Sequence, residues 1–291
     1  MIISASRRTD IPAFYTDWLV NRIKAGCCVT QNPMNPKQIR RVSLLPNDVL
    51  GIVLWTKNAA PLLSKLPVLE PFPYYFQYTI TPYDIDIEHG LASKRDVVIP
   101  AFLQLASQIG SGRVIWRYDP IVITCKYNVS YHIRAFSRLC GLLSGSTHRC
   151  VISYVTDYKS ITKNLREIGS EQLEVTEKLR LTQELLRIAK EHGIALCACC
   201  ESPEIYALGV ESAACVDAGL ISKISGKDLQ IPRDKNQRVG CSCAVSVDIG
   251  AYNSCLNGCL YCYANHSETR VQKNYATHDP LGEMLIGQPI K

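Results

Sequence analysis

Residues 49–56 read Val-Leu-Gly-Ile-Val-Leu-Trp-Thr, and residues 74–80 read Tyr-Tyr-Phe-Gln-Tyr-Thr-Ile. Both are short runs rich in β-branched and aromatic side chains, which favour β-strands. Six further runs of this kind occupy residues 2–6, 27–30, 113–117, 150–156, 194–200 and 245–250. The sequence therefore predicts eight short strands distributed along the whole chain.

Longer stretches with apolar residues at helical spacing separate several of these runs, at residues 14–24, 97–109, 133–143 and 176–192. Gly193 follows the last stretch as a stop signal. Strands that alternate with amphipathic helices are typical of βα units around a parallel sheet. We therefore expect an α/β fold, a full or partial TIM-type β/α barrel, with residues 1–291 forming one domain.

The composition is that of a soluble globular protein, with 47% apolar and 20% charged residues. The first residues place their charges after a very short apolar stretch, which does not match a secretory signal. No apolar run approaches the roughly 20 residues needed to cross a bilayer. We expect a cytoplasmic protein with no membrane partner. The net charge of +6 permits a nucleic-acid partner but gives it little support.

Several predicted strands end in polar residues. In a parallel barrel, the carboxyl ends of the strands surround the active site. Four charged residues lie at such ends: Lys57, Arg117, Asp119 and Glu201. We expect them to line the substrate side of an active site, where they would orient a substrate or transfer a proton. Salt bridges at the rim are the structural alternative.

The cysteines are numerous and unevenly placed. The chain contains 14, and nine of them lie between Cys197 and Cys262. Disulfides are not expected in a chain without an export signal, because the cytosol keeps thiols reduced. Metal binding or catalysis explains the cysteines better.

Residues 255–262, called the cysteine loop below, read Cys-Leu-Asn-Gly-Cys-Leu-Tyr-Cys. Four thiolates fill the coordination positions of a cubane iron–sulfur cluster, whereas three leave one iron open to a small ligand. Cys255, Cys259 and Cys262 are therefore candidate ligands of a cluster that takes part in chemistry.

This motif, with Tyr261 directly before its last cysteine, resembles the signature of the radical S-adenosylmethionine (SAM) superfamily. The resemblance implies that Cys255, Cys259 and Cys262 bind a [4Fe-4S] cluster, that its open iron binds SAM, and that Tyr261 lies near the adenine. It further implies an enzyme in which the reduced cluster cleaves SAM to methionine and a 5′-deoxyadenosyl radical that abstracts hydrogen from an unknown substrate. Such an enzyme needs an electron donor such as ferredoxin or flavodoxin.

The loop usually follows the first barrel strand in radical SAM enzymes, but here it lies near the C-terminal end. Residues 6–10, 246–252 and 263–265 resemble a bacterial family known as domain of unknown function 1848, whose C-terminal cysteines are similar to those of radical SAM proteins. A circular permutation would reconcile these facts by placing strand 245–250 beside strand 2–6. Arg7, Arg8 and Asp10 would then bind the carboxylate and ammonium groups of SAM.

A second metal site is expected upstream, within a cysteine-rich region at residues 197–265. Cys200, Cys215, Cys241 and Cys243 could hold an auxiliary iron–sulfur cluster or a zinc ion with every coordination position filled. Cys197 and Cys199 lie on a predicted strand and fit better as small buried apolar side chains.

Two other functions stay open. The cysteines could bind structural zinc in a nucleic-acid or protein interaction module, although zinc prefers four protein ligands and the loop supplies three. A radical-based enzyme that repairs or modifies nucleic acid is the other alternative, which the modest positive charge permits.

Overall fold

The computed structural model describes residues 1–238 and 240–288. Its strands are β1 (Ile2–Ala5), β2 (Cys27–Asn32), β3 (Asn35–Ser43), β4 (Gly51–Thr56), β5 (Tyr74–Thr79), β6 (Val114–Ile121), β7 (Arg149–Tyr154), β8 (Ala195–Ala198), β9 (Glu211–Ser212) and β10 (Ser246–Asp248). Its α-helices are α1 (Ile11–Phe14), α2 (Thr16–Lys24), α3 (Ala60–Leu63), α4 (Ile99–Ile109), α5 (Val129–Leu143), α6 (Thr162–Glu167), α7 (Val175–Glu191), α8 (Pro203–Ala207), α9 (Ala218–Ser225) and α10 (Glu268–Ala276). The end of the predicted domain, 289–291, and position 239 of the predicted metal-binding region lie outside the described residues.

Eight of the strands form one parallel sheet in the order β10-β1-β4-β5-β6-β7-β8-β9. The predicted α/β class is therefore confirmed. The last strand of the sheet in sequence, β10, pairs with the first, with Ile2 opposite Ser246, as the permuted order requires. No pairing joins β9 to β10 within the described residues, so the sheet stays open there and a closed barrel is not formed.

The strand predicted at residues 27–30 forms, but outside this sheet. It is part of β2, which pairs antiparallel with β3, a strand that the sequence pattern did not predict. The eighth strand of the sheet is β9, a two-residue strand that pairs with β8. A run of β-branched residues favours a strand without specifying its partner, because pairing depends on packing against residues distant in sequence. The assignment of residues 27–30 to the barrel is therefore wrong.

The two faces of the sheet pack against different parts of the chain, because successive side chains of a strand point to opposite faces. On one face, Phe76, Trp116 and Ile152 belong to a core that also contains buried residues of α2, α4, α5 and α7. The Trp116 ring stacks on Phe136 of α5 with a centroid distance of 5.1 Å. On the other face, Tyr75 packs in an apolar cluster with the segment that carries several upstream cysteines.

The four predicted helices are present with shifted ends, because capping side chains decide where a helix begins. Asp10 accepts a hydrogen bond from the amide of Ala13 (3.0 Å) and starts a separate short helix, α1, ahead of α2. Asn128 accepts one from the amide of Tyr131 (3.0 Å) and starts α5 earlier than the apolar pattern does. Among the described residues, no helix combines the length and the apolar character that a membrane crossing requires.

The cysteine loop packs closely against the turn at residues 88–90. Glu88 forms an isolated antiparallel bridge with Cys259. The Gly90 amide donates to the carbonyl oxygen of Asn257 at 3.1 Å. A Cβ atom at Gly90 would lie only 1.9 Å from the backbone oxygen of Leu256, so this approach is open to glycine alone.

We expect Gly90→Ala to lower the free energy of unfolding by about 2 kcal/mol or more, because the backbone of the cysteine loop would have to move. Gly112→Ala is the matched control, since the nearest atom to its added Cβ would be 3.9 Å away. That exposed substitution should change stability by less than about 0.5 kcal/mol. Urea unfolding followed by circular dichroism measures both effects, and equal stabilities of the two variants would contradict the packing described.

Candidate functional site

The carboxyl ends of the parallel strands open onto a cavity of about 490 Å³. This volume is in the range of sites that bind small molecules, roughly 300–1,000 Å³. The cysteines that line it are Cys199, Cys200, Cys215, Cys241, Cys243, Cys255, Cys259 and Cys262. The fold therefore brings the cysteine loop and the upstream cysteines to one cavity.

The cysteine loop is held in place through its backbone and its non-cysteine side chains. The Asn257 side chain donates to Asp10 Oδ2 at 3.1 Å, and the Asn265 side chain donates to the carbonyl oxygen of Cys255 at 2.6 Å. Gly258 has a φ of +60°, and a Cβ there would lie 2.3 Å from the ring of His89. These contacts fix the shape of the loop while all three of its cysteines line the cavity.

Burial of the loop thiols favours their protonated form. Burial raises the pKa of Cys255 to about 12, and the carboxylate of Asp10 adds to this effect. Burial also raises the pKa values of Cys259 and Cys262. A bound metal would displace these protons, because the thiolate is the ligand form. In the part of the chain that the structure describes, no three Cys, His, Asp or Glu side chains are placed to hold a single metal ion.

A buried ion-pair network lies behind the cysteine loop. Lys57 Nζ lies 2.7 Å from Glu88 Oε1 and donates to the hydroxyl of Tyr261 at 2.8 Å. Lys94 pairs with the other carboxylate oxygen of Glu88. Burial alone would raise the pKa of Glu88, but the two lysines lower it to about 2. Lys57 and Tyr261 line the cavity, yet their polar atoms already bind within the protein.

Asp10 connects three segments around the cavity. Besides capping α1, its carboxylate accepts hydrogen bonds from the Lys57 amide at 2.7 Å and from Asn257 at 3.1 Å. It is buried, and both of its oxygens have partners within the protein. These contacts give Asp10 a structural role, and its binding of the SAM ammonium group stays a prediction.

Arg7 and Arg8 follow β1, and both line the cavity. Arg7 Nη1 donates to Gln237 at 3.0 Å, and the guanidinium lies 5.4 Å from the ring centroid of Trp55. Its Nε and Nη2 atoms are buried and have no hydrogen-bond partner among the described residues. Arg8 lies over the ring of Tyr252, 5.4 Å from its centroid. Two cationic groups therefore reach the cavity from the end of the first strand.

Arg117 and Asp119, which lie within β6, form an ion pair that lines the cavity. Arg117 Nη1 also donates to the sulfur of Cys215 at 3.2 Å. Its guanidinium lies 5.3 Å from the Trp55 ring, and the hydroxyl of Ser153 donates to Asp119. Both residues thus lie at the cavity, although β6 continues past them to Ile121, and their action on a substrate stays a prediction.

The upstream cysteines form a second cluster of thiols, the five-cysteine group, which consists of Cys199, Cys200, Cys215, Cys241 and Cys243. The sulfur of Cys199 lies 3.3 Å from that of Cys215 and 3.9 Å from that of Cys200. Hydrogen bonds with Cys199 and Cys243 lower the pKa of Cys215 against the effect of burial, and Arg117 adds to this lowering. Cys199 was expected only to pack in the core, but its sulfur belongs to this group. Cys197 packs in the apolar cluster as predicted.

Glu201 is not brought to the cavity. Its carboxylate accepts a hydrogen bond from the Tyr154 amide at 2.8 Å and pairs with Lys178 of α7 at 2.8 Å. The strand β8 ends at Ala198, and Cys200 has a φ of 55°, so the chain has already turned before residue 201. The expected role of Glu201 on the substrate side gains no support from this placement and stays a prediction.

Sequence reasoning missed Glu88 and Arg238. Glu88 lies in a loop without a recognisable motif, and only the fold brings its carboxylate within 2.7 Å of Lys57 Nζ. Arg238 lines the cavity beside the five-cysteine group. Its position three residues before the Cys-Ser-Cys sequence at 241–243 was the only local signal.

We expect Glu88→Gln to lower the free energy of unfolding by about 3 kcal/mol or more, because it leaves the buried Lys57 and the partly buried Lys94 without their counterion. Glu184→Gln is the matched control, since Glu184 pairs with Arg187 on the exposed face of α7. Losing that pair should cost less than about 1 kcal/mol. Chemical unfolding of both variants tests this, and a small effect at Glu88 would show that the network does not support the loop.

Comparison with known proteins identifies a family but supplies no activity. No curated protein matches the chain. The sequence profile of a family described as a domain of unknown function (DUF1848) matches residues 2–264. This span includes all ten strands and the whole cysteine loop. The chain belongs to the DUF1848 family.

Proposed function

We propose that this protein is a radical SAM-like iron–sulfur enzyme that acts on an unknown substrate. One observation carries the proposal: Cys255, Cys259 and Cys262 line one cavity at the carboxyl edge of a parallel sheet. In β/α folds of this kind, chemistry takes place at that edge. The cavity, at about 490 Å³, has room for a ligand beside the loop.

The donor set fits a cubane cluster. Three soft thiolate ligands come from one short loop, and a cubane binds each cysteine through a different iron, so the sulfurs need not converge on one point. Three ligands leave one iron open, which is the position that would take SAM. The loop is already shaped by Asn257, Gly258 and Asn265, so binding would not have to organise its backbone.

The bound cluster and SAM would together supply reductive cleavage of SAM to methionine and a 5′-deoxyadenosyl radical that takes hydrogen from the substrate. The protein's own side chains would bind and orient. Arg8, over the Tyr252 ring, would bind a carboxylate by a charge-assisted hydrogen bond. Tyr261 would present the face of its ring to the cavity while Lys57 holds its hydroxyl. Arg117 and Asp119 would orient the substrate.

The same proposal accounts for the strand order. In a partial β/α barrel that is circularly permuted, the cluster-bearing strand would be the last in sequence. It would still lie beside the strand that comes directly after it in usual radical SAM barrels. The pairing of β10 with β1 supports this arrangement. The protein would then work in the cytoplasm with an electron donor such as ferredoxin or flavodoxin.

Anaerobic reconstitution with iron and sulfide, followed by reduction and addition of SAM, should release 5′-deoxyadenosine. Replacing Cys255, Cys259 or Cys262 singly by alanine should abolish that release, because each removes a cluster ligand. Cys125→Ala is the matched control, since Cys125 is exposed and does not line the cavity. It should release as much 5′-deoxyadenosine as the unmodified protein.

Retained cleavage in any of the three loop variants would refute the ligand assignment. Bound zinc, with no iron uptake and no cleavage, would instead favour an interaction module. Chromatography of the small-molecule products and metal analysis of the same samples distinguish these results.

A further inference from the structure

We infer that the five-cysteine group is a second metal–thiolate centre that faces the same cavity as the cysteine loop, and that Cys199 is one of its ligands. The inference goes beyond the proposed function, because it concerns other residues and does not require SAM. It also changes the ligand set that the sequence suggested, in which Cys199 had no part.

The sulfur atoms of the group form a continuous series of contacts. Cys199 lies at its centre, 3.3 Å from Cys215 and 3.9 Å from Cys200. Cys215 in turn contacts Cys243, and Cys200 contacts Cys241. Packing alone does not explain why five thiols from three segments meet, because apolar side chains of similar size would fill the space equally well. Thiolates that share a soft metal do explain it.

Three arginines surround this group. Arg117 donates to the sulfur of Cys215 at 3.2 Å. Arg7 and Arg238 lie close enough for their charges to act on sulfurs of the group. A centre with four thiolates carries net negative charge, so neighbouring cations would stabilise it. Arg117 already pairs with Asp119, so protonated thiols would leave the other two arginines without such a counterion from the group.

Arg7 is the most informative of the three. Its Nε and Nη2 atoms, which form the side-on fork of a guanidinium, are buried without a partner among the described residues. A buried, unpaired N–H group costs about 1–3 kcal/mol, and more when it is charged. Metal-bound thiolates of Cys215 and Cys243 would accept these hydrogen bonds and remove that cost.

The polypeptide around the group is already held in position. The carbonyl oxygen of Cys215 accepts hydrogen bonds from Tyr75 at 2.8 Å and Gln77 at 2.9 Å, both on β5. The amide of Val216 donates to the sulfur of Cys243 at 3.4 Å. As placed, no three of these thiols surround one point in the described part of the chain, so metal binding must rotate at least one of them. Such adjustment is ordinary, because metal binding is coupled to local ordering.

Two sources share this ligand chemistry, a zinc ion and an iron–sulfur cluster, since both bind four thiolates. In either case cysteine thiolates would fill every coordination position of the metal centre. No position would be left for a substrate. A ligand in the cavity would therefore lie between an open centre at the cysteine loop and a closed centre at the five-cysteine group. Arg7, Trp55 and Arg117 would form the wall on the side of the closed centre.

The test uses the full chain with Cys255→Ala, Cys259→Ala and Cys262→Ala combined, which removes the first centre. This variant is purified without oxygen, and separate samples are exposed to zinc alone and to iron with sulfide. It should still bind one zinc ion or one iron–sulfur cluster. X-ray absorption should show sulfur ligands only, at about 2.3 Å for zinc. Because no SAM is involved, this result is independent of whether the proposed function is correct.

In the same background, Cys199→Ser with Cys215→Ser should abolish thiolate coordination. Cys150→Ser with Cys197→Ser, which changes two buried strand cysteines outside the group, should keep it. The inference would be overturned if the variant with three alanines in the cysteine loop took up neither metal. It would also be overturned if sulfur coordination survived the loss of Cys199 and Cys215.

Discussion

The pairing of β1 with β10 is the constraint on which the cavity depends. Asp248 on β10 accepts hydrogen bonds from the hydroxyls of Ser4 and Ser6, at 2.9 and 2.6 Å, and from the Arg7 amide at 2.8 Å. Because the two strands are parallel, both deliver the residues that follow them to the same edge of the sheet. The beginning of the chain and the cysteine loop near its end are thereby placed in one cavity.

Charge is distributed unevenly around that cavity. Near the cysteine loop, Lys57 is neutralised by Glu88 in a buried network that also holds Tyr261. Near the five-cysteine group, Arg7 has two buried N–H groups without partners. The loop side therefore has its charges balanced by protein alone, whereas the other side has cationic groups that thiolates would balance. The two proposed centres differ in the same way, since one would be open to a ligand and the other closed.

Much of the fold followed from the sequence pattern. Seven of the eight sheet strands were predicted. Buried parallel strands are continuous apolar runs, and the turn residues at their ends separate one run from the next. The strand β9 was missed because two residues carry no periodic signal, and β2 was given the wrong partner because local propensity says nothing about distant pairing.

The site was predicted less completely than the fold. The spacing of the cysteine loop singled out its three cysteines as candidate ligands without any structure, because candidates within one loop are close in sequence. Cys199 and Glu88 could not be found in this way. On a strand, Cys199 looks like any small buried residue, and its sulfur contacts come from segments far along the chain. Glu201 lies away from the cavity lining because the turn at Cys200 directs it to α7.

The most direct test of the central claim is the electron paramagnetic resonance spectrum of the reduced, full-length protein with and without SAM. If the cysteine loop holds a cluster with an open iron, SAM will bind that iron and change the signal of the reduced cluster. A cluster whose spectrum SAM leaves unchanged, with all of its irons bound by protein thiolates, would contradict the account.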